Sequence, residues 1–140
     1  NNMKPELSLT EVGRAVLAQQ PFSCLLGAEL VELAPGHCVI ALPLRPDLMQ
    51  QHGFAHGGVV SYLADNALTF AGGSLNPGGK TLTSEFKINY LRPAVGERLL
   101  ARADSLYAGK SQAVCRCDIY AVADGEEKLC ATAQGTIAFN

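Results

Sequence analysis

The chain has 140 residues, 48% of them hydrophobic and only 17% charged, with a formal net charge of −2. That length makes one domain, residues 1–140, with a core of its own, and the apolar fraction excludes a disordered chain. The mild acidity lacks the basic footprint of a nucleic-acid binder, and no apolar run approaches the roughly 20 residues of a membrane span. A chain this short of charge is expected to hide part of its surface against copies of itself. No secretory signal pattern is present, so a cytoplasmic location is expected. Asn1-Asn2-Met3 resembles an expression remnant ahead of a natural start.

Ser8 and Glu11 have the spacing of a capping box and predict a helix over 9–19, with Pro21 as its stop. Two short apolar runs, 28–33 and 38–44, flank a Pro35-Gly36 turn and predict two strands, ended by Pro43 and Pro46. The spacing of Val60, Leu63, Ala64, Ala67 and Ala71 predicts a helix over 57–71. Val59, Leu68 and Phe70 widen its stripe until little polar surface remains, so this helix should be buried. Gly72-Gly73 and Asn76-Pro77-Gly78-Gly79 are expected to end it in a loop.

The rest reads as strands. Leu82, Phe86, Ile88 and Tyr90 lean to one face, opposite Thr83, Glu85, Lys87 and Asn89, until Arg92-Pro93. Runs over 98–107, 113–123 and 129–139 follow, each bounded by Gly or Asp-Gly. The order is helix, two strands, buried helix, four strands. This is an α+β chain whose mainly antiparallel sheet is expected to wrap the one long helix. Cys24, Cys38, Cys115, Cys117 and Cys130 read as reduced structural residues. Cys115-x-Cys117 lacks zinc spacing, and His37, His52 and His56 share no metal-ligand spacing on a helix, so no metal is predicted.

From Leu48 to Gly79 the only charged side chain is Asp65, two turns into the apolar helix. A buried carboxylate is costly unless hydrogen-bonded or paired, and Asp is a poor helix-interior residue. Ser61, Asp65 and Thr69 form a narrow polar stripe. Such an Asp either holds structure, capping a loop or pairing with an Arg across an interface, or does chemistry. His56-Gly57-Gly58 opens the same helix. It is read either as a tight strand-to-helix turn or as a place where free N–H groups and the helix dipole meet a carbonyl that becomes an oxyanion. Gly57 and Asp65 differ by about 12 Å of helix rise. One helix can hardly bring both to one carbonyl, so Asp65 should come from a second subunit. No G-x-S-x-G elbow is present.

Residues 50–66, QQHGFAHGGVVSYLADN, resemble the signature of hotdog-fold acyl-CoA thioesterases of the PaaI-like group, N-x-x-G-x-x-H-G-G-x(6)-D. Gly53, His56, Gly57, Gly58 and Asp65 fall in register, and Asn89-Tyr90-Leu91-Arg92-Pro93-Ala94 and Gly109-Lys110-Ser111 are also typical of the group. The resemblance implies a hotdog fold and hydrolysis of an acyl-CoA to acid and CoA, with no cofactor beyond the CoA of the substrate. It implies Asp65 as general base or nucleophile, and Gly57 or Gly58 as N–H donor to the thioester oxygen. His56 would shape that loop, and Thr83, or next Ser84, would place a hydroxyl near the carboxylate. Gln50 stands where the family has Asn. It keeps the amide but adds a methylene, and Gln51 or His52 are substitutes for its role. Arg92, Lys110 and Ser111 sit where the family often contacts the CoA phosphates, though solvated loop residues read the same way. Leu48, Met49, Phe54 and Tyr62 are candidates for lining the pocket or packing the core. A homodimer is the smallest implied assembly, and a homotetramer follows by the same resemblance. Two other readings remain open. One is a hotdog hydratase or dehydratase, which uses a paired His and carboxylate; the other is a non-catalytic acyl-CoA binder, which Gln50 keeps in play.

Overall fold

The computed structural model describes residues 7–140, so Asn1–Met3 lie outside the described residues. Its elements are α1 (Leu9–Ala18), α2 (Pro21–Leu26), β1 (Glu29–Ala34), β2 (His37–Pro43), a 3-10 turn (Pro46–Leu48), α3 (Gly57–Gly73), β3 (Thr81–Tyr90), β4 (Arg98–Ala108), β5 (Gln112–Ala123) and β6 (Glu126–Phe139). The six strands form one sheet in the order β1-β2-β4-β5-β6-β3, every pair antiparallel. The sheet curls around α3, as the element order predicts and as the resemblance to hotdog-fold proteins implies. Strands β1 and β3 are its edges.

The first helix begins where its capping box predicts. Glu11 N–H donates to Ser8 Oγ at 3.1 Å, and Ser8 N–H donates back to Glu11 Oε1 at 3.4 Å. Such a cap stabilises a helix by about 1 kcal/mol. Pro21 does not simply end this segment, as the sequence reading had it. It starts α2 at the first helical position, where its fixed φ fits and its missing N–H costs nothing. Gly27, with φ 84°, closes that short helix.

Helix α3 runs through Gly72 and Gly73 rather than stopping before them. The reason is close packing. A Cβ on Gly72 would stand 2.8 Å from Ile137 Cβ, so glycine lets the helix lie on β6. Leu63, Ala64, Ala67, Leu68 and Ala71 are fully buried against Ala101, Ala103, Cys115, Cys117 and Ile119. Small residues on the sheet leave room for the helix. The helix is not apolar all round, however. Ser61, Tyr62, Asp65, Asn66 and Thr69 form a half-buried face that the sheet does not cover.

Strand β3 departs from simple alternation. Its pairing with β6 shifts between Thr83 and Glu85, leaving Ser84 as an extra residue in a β-bulge. One inserted residue exchanges the two faces of the strand before it. Leu82, placed by alternation on one face with Phe86 and Ile88, is therefore 75% exposed while those two are half-buried, and Thr83 turns toward α3. The cysteines also divide: Cys38, Cys115, Cys117 and Cys130 are buried, whereas Cys24, grouped with them by the sequence as a structural residue, is exposed. Burial pushes the Cys115 and Cys130 thiols up to about 11 and those of Cys38 and Cys117 further still, which keeps them protonated and inert.

Candidate active site

Loop 49–56 delivers the chain to the start of α3. A bridge pairs Met49 with Ala55, Gln50 N–H donates to Phe54 O at 2.9 Å, and Gly53 turns the loop at φ 85°. Gln50 folds its side chain back on this loop, its Oε1 accepting from the His52 N–H. Gln51 and His52 are exposed, with the His52 ring stacked on Phe54 at a centroid distance of 6.4 Å. Leu48 is buried core and Met49 half-buried.

His56 is the N-cap of α3. Its Nδ1 accepts the Gly58 N–H at 2.8 Å, so a neutral ring carries its proton on Nε2. That bond uses the Gly58 donor. The Gly57 N–H has no partner among the described residues and stands at the positive end of a 17-residue helix. Tyr90 closes the other side, its hydroxyl donating to Gly57 O at 3.2 Å. Beside Gly57 lies a cavity of about 350 Å³, bordered by Phe54, Val60, Tyr90 and Arg92.

Asp65 lies two turns along, on the uncovered face of α3. Thr83 donates to its Oδ1 at 2.6 Å. Thr69 stands 2.9 Å from the Thr83 hydroxyl and 2.8 Å from Asp65 O, and has one proton to give to either. None of the ion pairs among the described residues involves Asp65. The carboxylate is therefore oriented by one strong hydrogen bond, with Oδ2 left for a water or substrate. Ser84, the alternative hydroxyl, sits in the bulge and is exposed.

The structure does not bring all the candidates together. Arg92 is exposed just past the Tyr90 end of β3, next to Gly57. Lys110 and Ser111 are exposed in the β4–β5 turn, at the Thr81 end of β3, where Phe139 N–H donates to Ser111 O at 2.9 Å. The ten residues of β3 separate the two by about 30 Å. Gly57, Tyr90 and Arg92 thus share one end of the chain's site surface, and Asp65, Thr83, Lys110 and Ser111 the other.

Two features escape a reading by sequence. The contact of Tyr90 with Gly57 leaves no local signal, since 33 residues separate them. The second is a polar network joining α2 to α3. Tyr62 donates to Ser23 Oγ at 2.5 Å, Ser23 to Gln20 Oε1 at 2.6 Å, and Asn66 Nδ2 to Tyr62 Oη and Gln20 Oε1, both at 3.1 Å. Burial raises the Tyr62 phenol, so it remains a donor at neutral pH. The four-residue spacing of Tyr62 and Asn66, one face with Asp65, was a usable signal; Ser23 was not.

Residues 52–128 match the family model described as "Thioesterase superfamily". The chain is 31% identical to acyl-coenzyme A thioesterase 13 of Homo sapiens, covering 85% of this chain and 86% of that one. It is likewise 31% identical to 1,4-dihydroxy-2-naphthoyl-CoA hydrolase of Listeria monocytogenes, covering 81% and 90%. The fold superposes on the crystal structure of a thioesterase family protein from Silicibacter pomeroyi with a TM-score of 0.89 and 38% identity, covering 94% of this chain and 98% of that one.

Proposed function

This chain belongs to the thioesterase superfamily, and we propose that it hydrolyses an acyl- or aryl-CoA thioester to the free acid and CoA. The observation that carries this reading is the pairing of a helix N-terminal donor without a partner, Gly57 N–H, with a half-buried carboxylate, Asp65, that no cation neutralises among the described residues. The thioester oxygen sits against Gly57, where the dipole favours the charge it gains in the tetrahedral transition state. Asp65 takes a proton from water as the water oxygen bonds to the carbonyl carbon, or attacks that carbon itself. The carbon–sulfur bond then breaks and CoA leaves as thiolate, which needs no strong general acid. His56 occupies the Gly58 N–H and so presents Gly57 alone; Thr83 holds the carboxylate. The reaction calls for no cofactor and no metal.

The active unit in this reading is a homodimer. Gly57 and Asp65 are eight residues apart on one straight helix, about 12 Å in rise, so one chain cannot place both at one carbonyl. Edge strand β3 offers ten residues with one side unpaired. Antiparallel pairing of two such edges about a two-fold axis sets the Gly57, Tyr90 and Arg92 end of one chain against the Asp65, Thr83, Lys110 and Ser111 end of its partner. Arg92 and Lys110 then converge from two chains on the CoA phosphates, which accounts for their distance within one. A tetramer of two such dimers extends the same reading. No helix among the described residues is long and apolar enough to cross a membrane, and five free thiols suit the cytoplasm.

The test is thiol release from a panel of acyl- and aryl-CoAs, with Asp65→Asn beside the wild type. Turnover in the wild type and its collapse in the variant are expected. Undiminished turnover by Asp65→Asn, or hydration of an enoyl-CoA without free thiol, would overturn the reading.

A further inference from the structure

A second cavity of about 350 Å³, not used above, lies between α1, the C-terminal half of α3 and turn 74–79. We propose that it receives the acyl chain, and that it selects a linear, unfunctionalised alkyl chain of medium length. This rests on the thioesterase reading and adds the substrate class to it.

Three observations lead there. The first is continuity. Thr69, whose hydroxyl lies 2.9 Å from the Thr83 that holds Asp65, is also part of the cavity wall. The cavity therefore begins one helical turn from the carboxylate. It continues along α3 to Gly73, eight residues and about 12 Å from Asp65, the span of an extended medium-length alkyl chain. The second is charge. Among the described residues the wall contains no Lys, Arg, Asp, Glu or His, so it does not suit the phosphates of CoA, whereas the cavity beside Gly57 has Arg92 on its border.

The third is hydrogen bonding. Most polar side chains in the wall already have partners within the protein, Thr81 being the exception among the described residues. Thr69 bonds Thr83 or Asp65 O, Ser74 donates to Ala71 O at 2.7 Å and accepts from Gly36 N–H at 2.8 Å, and Asn76 donates to Asn140 O at 2.9 Å. An occupant is offered apolar contact and few hydrogen bonds. That favours an alkyl chain over a hydroxylated aryl group, whose oxygen would lose water without gaining a partner. Val12 and Val16 of α1 are 43% and 44% exposed, and Phe70 borders the same space, so the apolar surface an alkyl chain would cover is already present. Helix α1 is thus a specificity element, set in place by bonds such as Leu33 N–H to Thr10 Oγ1 at 3.0 Å.

Steady-state kinetics on acetyl-, butanoyl-, hexanoyl- and decanoyl-CoA test this. The expected kcat/KM rises about fourfold per methylene until the cavity is full, the effect of burying one CH₂. Val16→Phe narrows the cavity from a half-exposed position and should lower the decanoyl-to-butanoyl ratio at least about tenfold; Val12→Phe should do the same. A flat chain-length profile, an unmoved ratio in both variants, or a preference for 4-hydroxybenzoyl-CoA over decanoyl-CoA would overturn the proposal. Calorimetric binding of non-hydrolysable S-alkyl-CoA thioethers separates it from the activity it rests on. Affinity that grows with alkyl length in a protein without turnover would sink hydrolysis and keep the cavity. Turnover with length-independent affinity would sink the cavity and keep hydrolysis.

Discussion

The Thr83 hydroxyl donates to Asp65 Oδ1 at 2.6 Å, tying an edge strand to the central helix across 18 residues of chain. A hydrogen bond to a charged group contributes about 1.5–3 kcal/mol. Thr83→Val should accordingly lower kcat by about tenfold or somewhat more, while Thr83→Ser keeps the donor and stays near wild type. Asp65→Asn should lose at least about 10²-fold, as expected for a catalytic base. Thiol-release rates for the three variants check the series; a Thr83→Val enzyme as fast as Thr83→Ser would remove Thr83 from the site.

The two helix-opening glycines should behave differently. A Cβ on Gly58 would lie 2.9 Å from His56 Nδ1 and disturb the N-cap, so Gly58→Ala should cost about 1 kcal/mol of stability. At Gly57 a Cβ meets only the Tyr90 ring, at 3.6 Å, an ordinary contact. Gly57→Ala should melt near wild type yet lower kcat/KM, because its methyl stands where a carbonyl must approach. Melting temperature and kinetics on the same two samples decide this.

If each site draws Gly57 from one chain and Asp65 from the other, two dead variants should rescue each other. Asp65→Asn and Gly57→Val, mixed after denaturation and refolded together, give heterodimers with one intact and one doubly broken site. Random pairing predicts recovery of about a quarter of wild-type activity. Absence of rescue in a mixture proven to contain heterodimer would place both residues in one chain.

Gly135 of β6 faces Phe86 just after the bulge in β3. A Cβ there would lie 2.5 Å from Phe86 Cβ and 2.6 Å from Glu85 O, both on the strand that carries Thr83. Gly135→Ala should cost about 1–3 kcal/mol through overpacking. It should also lower kcat at temperatures where the variant is fully folded, since the displaced bulge sets the face of Thr83. Loss of stability with kcat intact would show that the bulge is held by other contacts.

His37 carries a pH dependence of stability. Asp104, 2.8 Å from Nδ1, and then Glu32, 3.3 Å from Nε2, raise its pKa above the ordinary value of 6.5. The protonated ring is thus bound more favourably in the folded state. Its contribution is complete below about 6.5 and is lost as pH rises through the raised folded value. Urea midpoints from pH 6 upward should fall more steeply for the wild type than for His37→Asn. Parallel profiles would exclude the effect.

Much of the architecture was legible because it depends on neighbours in sequence. The capping box, the Pro35-Gly36 turn, the 3.6-residue period of α3 and the alternation of β5 are local patterns with local causes. The same holds for the chemistry of residues 56–65, where one carboxylate interrupts an apolar helix that opens on two glycines. Pro21 was misread because a proline suits a helix start as well as a stop, and only the packing of Leu26 and Ser23 made it a start. Leu82 was misplaced because a bulge is a property of a strand pair: nothing within 81–90 shows that β6 skips Ser84.

The order of α1, α3 and the six strands, the apolar helix and the isolated Asp65 follow from the sequence alone, because hydrophobic period and residue type act over a few residues. Tertiary structure decided which groups are free to act. His56 takes the Gly58 N–H and leaves that of Gly57 open, a choice made by ring geometry. The bulge turns Thr83 rather than Ser84 onto Asp65, a choice made by pairing between strands 51 residues apart. The length of β3 sets Arg92 about 30 Å from Lys110, a distance that exists only once the strand is extended.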